Sequence, residues 1–104
     1  MSTVKYIKLK TSNYSILTGE VKSVMDLIAD DKNYNSFYKK IQGCNTLRLY
    51  VSSGEVTMRF DGGSPSDKDF KVSEDQHLIE NVEISNVKML AITDCEFAMH
   101  IGYM

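Results

Sequence analysis

Two histidines, two cysteines and 14 acidic residues are the groups with which this 104-residue chain could do chemistry. His77 closes the run Glu74-Asp75-Gln76-His77, where two neighbouring carboxylates would tune it as an acid–base group. The same run also reads as a solvent-exposed polar loop, and no nucleophile or second base accompanies it, so the loop reading is preferred. His100 alternates away from the apolar residues around it and is expected to point outward, as a surface or interface residue. Cys44 and Cys95 form neither CxxC nor any metal spacing, and neither has a sequence-near partner that would activate a thiol. Both sit beside strand-like segments, which makes buried, reduced cysteines the simplest expectation. One disulfide stays open if the chain matures outside a reducing cytosol. Asp61, Asp67 and Asp69 gather near one another without matching the spacing of a calcium loop. The pair Gly62–Gly63 is continued by neither GxGxxG nor GxxxxGK, so it is not a phosphate-binding loop. Catalysis needs a positioned set of groups. None is evident, and the expectation is a protein that is not an enzyme, with no catalytic, cofactor-binding or metal-binding residues.

Composition points the same way. Apolar residues make up 42% of the chain and charged residues 25%, a balance that suits a soluble globular domain. Formal net charge is −2, and the basic residues are spread along the chain, with Lys5, Lys8 and Lys10 the densest group and Lys39–Lys40 the next. Binding to nucleic-acid phosphates needs a concentrated basic face, so no nucleic-acid partner is expected. Tyr6, Tyr14, Tyr34, Phe37, Tyr38 and Tyr50 crowd the first half of the chain. Without a basic field they read as core packing and a few rim tyrosines at a protein contact. The first residues, Met1-Ser2-Thr3-Val4-Lys5, lack an apolar leader core, and no segment reaches membrane-spanning length, so no membrane partner is expected.

The elements that would position these residues are mostly strands. The length fits a single domain over residues 1–104. Val4 to Leu9 alternates imperfectly, which predicts a bulge or burial on both faces. Thr11-Ser12-Asn13 is turn chemistry, and Tyr14 to Leu17 is a short second strand. Val21, Val24, Met25 and Ile28 then repeat at helical spacing, which predicts a helix over 21–29 capped by Ser23 or Thr18. Tyr34, Phe37, Tyr38 and Ile41 predict a second helix, ended by Gly43. Together these form a helical insert over about residues 20–43 that caps one open end of the fold.

Thr46 to Phe60 is expected to form a central β-hairpin. A two-residue loop at Ser53–Gly54 pairs Val51 with Val56, Leu49 with Met58 and Leu47 with Phe60, leaving Arg48, Tyr50, Thr57 and Arg59 on the other face. Asp61-Gly62-Gly63-Ser64-Pro65-Ser66 ends its second strand. Phe70 and Val72 mark a short strand, and His77 to Ile84 another, with Leu78, Val82 and Ile84 facing one way. Val87 to Ile92, a turn at Thr93–Asp94, and the strict alternation of Cys95, Phe97, Met99, Ile101 and Tyr103 predict a second, closing hairpin. The expected fold is mainly β: an antiparallel β-sandwich or jelly-roll-like barrel of seven or eight strands. A parallel α/β fold is disfavoured because strands and helices do not alternate.

The segment Gly54-Glu55-Val56-Thr57-Met58-Arg59-Phe60-Asp61-Gly62-Gly63-Ser64-Pro65-Ser66 resembles a pattern of small structural proteins of tailed bacteriophages, in which a strand V-x-h-R-h runs into D-G-x-x-P-[ST]. Ile84-Ser85-Asn86-Val87-Lys88-Met89-Leu90-Ala91-Ile92 and Phe97-Ala98-Met99-His100-Ile101-Gly102-Tyr103 resemble the strands that follow in those proteins. The likeness covers the C-terminal part of the chain, and the N-terminal strands, the helical insert and the long polar loop Ser64–Asp75 depart from it. It implies a β-sandwich that decorates, cements or joins parts of a virion. The leading expectation is a decoration or cement protein bound to the major capsid protein lattice or other virion proteins. It would act as a homo-oligomer, a trimer or another small ring, and would be located in the virion after assembly in the host cytoplasm. A tail or head–tail junction adaptor is the nearest alternative. A host-encoded ligand-binding module, taking a carbohydrate or peptide on its sheet face, is the alternative from another class.

Overall fold

Alternating apolar and polar residues make strands along most of this chain, and a computed structural model describes the backbone of residues 5–10 and 13–103 and the side chains of residues 13–102. The strands are β1 (Lys5–Lys10), β2 (Tyr14–Ile16), β3 (Val21–Ser23), β4 (Thr46–Ser53), β5 (Val56–Arg59), β6 (Phe70–Val72), β7 (Asp75–Ile79), β8 (Lys88–Ala91) and β9 (Cys95–Tyr103). Two short helices, α1 (Val24–Ala29) and α2 (Tyr38–Gln42), lie between β3 and β4. One sheet has the order β1-β9-β4-β7, with β2 also on β9; the other has the order β3-β8-β5-β6. Strands β1 and β2 pair with successive stretches of β9, so they share one lane and each sheet is four lanes wide. Every pairing is antiparallel. The fold is a mainly β antiparallel sandwich with a short helical insert, as the pattern of the sequence predicts.

The two expected hairpins are not hairpins. β4 pairs with β7 and β9 in one sheet, while β5 pairs with β6 and β8 in the other. The chain at Ser53–Glu55 therefore crosses from sheet to sheet as a β-arch. The closing hairpin fails in the same way, because β8 and β9 also lie in different sheets. Two further crossings, β2 to β3 and β6 to β7, complete a stack of four arches whose order is the same in both sheets. Leu47, Leu49, Val51, Val56 and Met58 are all buried as their alternation demands, but they meet across the sandwich rather than side by side. Alternation decides which side chains leave water. It does not decide whether the next strand lies beside the first or opposite it.

Hydrogen bonds tie the arches to one another. The Gly19 amide donates to the Ala91 carbonyl at 2.8 Å, and the Ala91 amide to Glu20 at 3.1 Å. The Ile92 amide donates to the Glu55 carbonyl at 2.9 Å, and the Glu55 amide to the Thr93 hydroxyl at 3.0 Å. Asp94 accepts both the amide and the hydroxyl of Thr18, each at 2.8 Å. Gly54 has φ of +84°, and a Cβ there would collide with the carbonyl of Asp94 and lie 2.7 Å from Cys95 Cα. Only glycine fits both the backbone angle and the close approach.

The helical insert closes the opposite end. Its first helix is shorter than expected: Val21 joins β3 against Leu90 of β8 and is 44% exposed, because the open edge of β8 offers it backbone partners. Ser23 is the cap, its hydroxyl accepting the Asp26 amide at 3.0 Å, and Val24, Met25 and Ile28 form the buried face. The second helix breaks into a 3-10 turn at Asn35–Phe37 followed by α2, with Ile41 fully buried. Gly43 caps it in a right-handed conformation, φ −86°. Backbone bonds from Val24 to Val87 and from Ile84 to Cys44 tie this end to the sheets.

Smaller corrections concern facing. Leu78, expected inward, is 45% exposed, and Ile79 takes the core position instead; Ile84 reaches the core from a 3-10 turn rather than from a strand. Thr57, expected on the solvated face, is fully buried. The polar loop Ser64–Asp75 contains β6 and a buried Pro65. β1 does carry a register shift between Tyr6 and Leu9, as its broken alternation predicts. The expected turn at Thr11–Ser12 and the facing of the side chains of Val4 to Leu9 and of Tyr103 lie outside the described residues.

Candidate functional site

The residues singled out for chemistry are dispersed. His77 lies on β7 opposite Leu49, half-buried, with Nε2 3.0 Å from the Ser73 carbonyl oxygen, so the ring donates there. It is therefore part of an edge strand and not of a free loop. His100 pairs with Arg48 on the outer face of the same sheet, as alternation predicts. Its Nδ1 stands 3.2 Å from the Tyr50 hydroxyl, and the two rings meet edge to face at 5.2 Å. The two histidines have opposite parity in the sheet and do not meet.

Cys44 and Cys95 are both buried free thiols. Cys44 sits at the helical end, its Sγ 3.4 Å from the Lys40 carbonyl, while Cys95 opens β9 at the arch end. The length of β9 separates them by about 20 Å, far beyond disulfide reach. That removes the disulfide left open by the sequence. Burial raises both thiols above the ordinary range; Cys95 is pushed up to about 11 by burial first and the Glu96 charge second. Neither is an activated nucleophile at neutral pH.

The acidic loop is occupied by its own neighbours. Arg59 donates to both oxygens of Asp61, at 2.8 Å and 3.1 Å, and the Gly63 amide donates to Asp61 Oδ1 at 2.9 Å. The hydrogen bond from Arg59, then that from Gly63, holds the Asp61 carboxyl below its usual range. Asp69 accepts the Ser66 amide at 2.7 Å. Gly62, at φ +85°, donates to the Asn86 carbonyl at 3.1 Å. The Asp61–Pro65 segment is thus a clamped turn, with its polar groups spent on holding shape. Among the described residues no three His, Cys, Asp or Glu side chains gather as metal ligands would. The aromatics are likewise scattered: Tyr14 packs on Phe97, Tyr34 on Phe37, and Phe60 on Phe70.

Two open clefts stand out among the described residues. The larger, about 540 Å³, lies over Met58, Phe60 and Phe70 beside the Arg59–Asp61 pair. The smaller, about 330 Å³, lies over Tyr50, Ser52 and Gln76 on the outer face. Neither assembles a nucleophile with a base or a pair of unpartnered carboxylates.

The feature that sequence reading missed is at the sides of the sandwich. The exposed large apolar side chains among the described residues are Leu17, Val21, Phe70 and Leu78. Leu17 and Val21 flank the lateral edge formed by the β1–β2 lane and β3; Phe70 and Leu78 lie on β6 and β7 at the opposite edge. Leu78 was expected inward and Val21 on a buried helix face, and no local signal marks a strand as an edge. Comparison of the chain with protein-family models, with curated proteins and with solved structures finds no match. Among the described residues no helix is long and apolar enough to cross a membrane.

Proposed function

We propose that this chain is a structural protein of a tailed-bacteriophage virion, binding the major capsid protein lattice as a decoration or cement protein. It acts by protein–protein contact, as a small homo-oligomer, and catalyses nothing. The observation that carries this reading is the placement of Leu17, Val21, Phe70 and Leu78 on the two lateral edges, where exposed apolar area and open strand edges meet. Such edges are natural sites for adding another chain. The clamped turn from Arg59 to Pro65 adds support, because it gives a rigid structural role to the residues that carry the phage resemblance. The test is co-sedimentation with capsids that lack the protein. Binding to the lattice is the expected result, and absence of binding at every ionic strength rejects the reading. Binding only at the portal vertex would move the protein to the head–tail junction. A small ligand that raises the melting temperature, with no capsid binding, would favour a ligand-binding module.

A further inference from the structure

The smaller cleft, on the outer face of the β1-β9-β4-β7 sheet, has its chemistry sorted by strand register. Tyr50 of β4 pairs with Ala98 of β9 on one side and with Gln76 of β7 on the other. Asn13 precedes Tyr14, which pairs with Phe97, so Asn13 comes level with Ala98 from the far side. One row across the sheet therefore reads Asn13, Ala98, Tyr50, Gln76, with Asn13 and Tyr50 two strand spacings, about 10 Å, apart. Ala98 is the small member of that row, and its methyl group is the floor of the cleft of about 330 Å³. Tyr50 is a wall already fixed in place: its hydroxyl stands 3.2 Å from His100 Nδ1, and the two rings meet edge to face. At the two ends of the row the side-chain amides of Asn13 and Gln76 are exposed and spend nothing on hydrogen bonds to the described residues. Ser52 and Asp75 complete the rim. Asp75 holds φ of +149°, a strained angle for a residue other than glycine, and its Oδ1 accepts the Gln76 amide at 2.8 Å.

We propose that this cleft binds a neutral saccharide, one pyranose ring seated over Ala98 against Tyr50. A sugar presents an apolar C–H face and a rim of hydroxyls that both donate and accept. The Tyr50 ring suits the first. The amides of Asn13 and Gln76, each carrying donors and an acceptor, suit the second. No basic side chain lines the cleft and the Asp75 carboxylate stands on its rim, so an acidic sugar is disfavoured. A peptide strand is disfavoured as well, because β4 is paired on both sides beneath the cleft and offers no free backbone. The inference goes beyond the capsid reading and does not rest on it: saccharide titration of the isolated chain tests one, capsid co-sedimentation the other.

The experiment is a titration of the full, isotope-labelled chain, followed by amide nitrogen–proton correlation spectra. The ligands are the methyl glycosides of glucose, galactose, mannose and N-acetylglucosamine, with glucuronic acid as the acidic contrast. At least one neutral glycoside is expected to give saturable shifts gathered at Asn13, Tyr50, Gln76 and Ala98, with glucuronic acid binding more weakly or not at all. Ala98→Met fills the floor and is expected to abolish binding. Tyr50→Ala should weaken it about tenfold, the loss of one stacked ring. Gln76→Ala, at an exposed position, should weaken it severalfold and keeps the test open whatever Ala98→Met does to folding. Folded variants are recognised by an unaltered β circular-dichroism spectrum. Absence of saturable shifts with all of the neutral glycosides overturns the proposal. So do shifts gathered elsewhere, glucuronic acid binding as tightly as the neutral sugars, or full-strength binding by a folded Ala98→Met or Gln76→Ala chain.

Discussion

The two ends of this sandwich are closed by different physics. At the arch end, backbone meets backbone: Gly54 lies against Asp94 and Cys95, Glu55 accepts from Ile92, and Asp94 accepts from Thr18. At the helical end, side chains fill space, with Val24, Met25, Ile28, Ile41 and Ile84 buried between the helices and the sheets. Backbone contacts leave no room for compromise, whereas an apolar plug responds in proportion to the volume removed. The arch end should therefore fail abruptly and the helical end gradually.

The largest effect is expected from Gly54→Ala, which adds a Cβ against backbone at a positive φ. A loss of more than about 3 kcal/mol, or failure to fold, should appear in urea denaturation. If this variant folds within about 1 kcal/mol of wild type, backbone contact is not what limits the arch end.

Next is the helical end, where Ile28→Ala should cost about 2–5 kcal/mol and Ile28→Val about 0.5–1.5 kcal/mol by the same measurement. Equal losses for the two would break the contrast, since a plug must feel each methyl group removed.

The smallest effect concerns Asp94. The amide and then the hydroxyl of Thr18 hold its carboxyl below the usual range, although it is fully exposed. A depressed carboxyl contributes stability above its unfolded value and loses it as pH falls through the lower folded value. Wild type should therefore lose stability toward acid faster than Asp94→Asn below about pH 4, the two converging once the carboxyl is protonated. Parallel urea midpoints for the two proteins across that range would remove Asp94 from the arch contact.

What the sequence made legible was the inside of the molecule. The alternation of Leu47, Leu49 and Val51, of Val56 and Met58, and of Cys95, Phe97, Met99 and Ile101 names core residues, all of which are buried. The helix cap at Ser23 and the bulge in β1 were also readable, because each depends on residues close in sequence. Partnership between strands was not. Ser53-Gly54 suits a tight turn and an arch alike, since both ask for a residue at positive φ. Val21 fits a helical stripe until the edge of β8 captures it, and Leu78 and Ile79 differ only in which way a short strand is turned. Burial of both cysteines could be read from the strand-like segments beside them, whereas whether they pair could not, because that depends on which ends of the sandwich hold them. The candidate edges could not, because being an edge is a property of the whole sheet.

The position of β9 has a consequence for the order in which the fold can form. It lies between β1 and β4 in its sheet, yet it is the last of the described strands to leave the ribosome. Lys5 waits for Tyr103, and Gly54 has nothing to rest on until Asp94 and Cys95 arrive. Contacts so distant along the chain place the protein among slow folders, on the order of milliseconds to seconds. β1 spends that interval as an unpaired strand in a nascent chain. Three lysines among its six residues are the kind of gatekeeper that keeps such a strand from pairing with the wrong partner before its own is made.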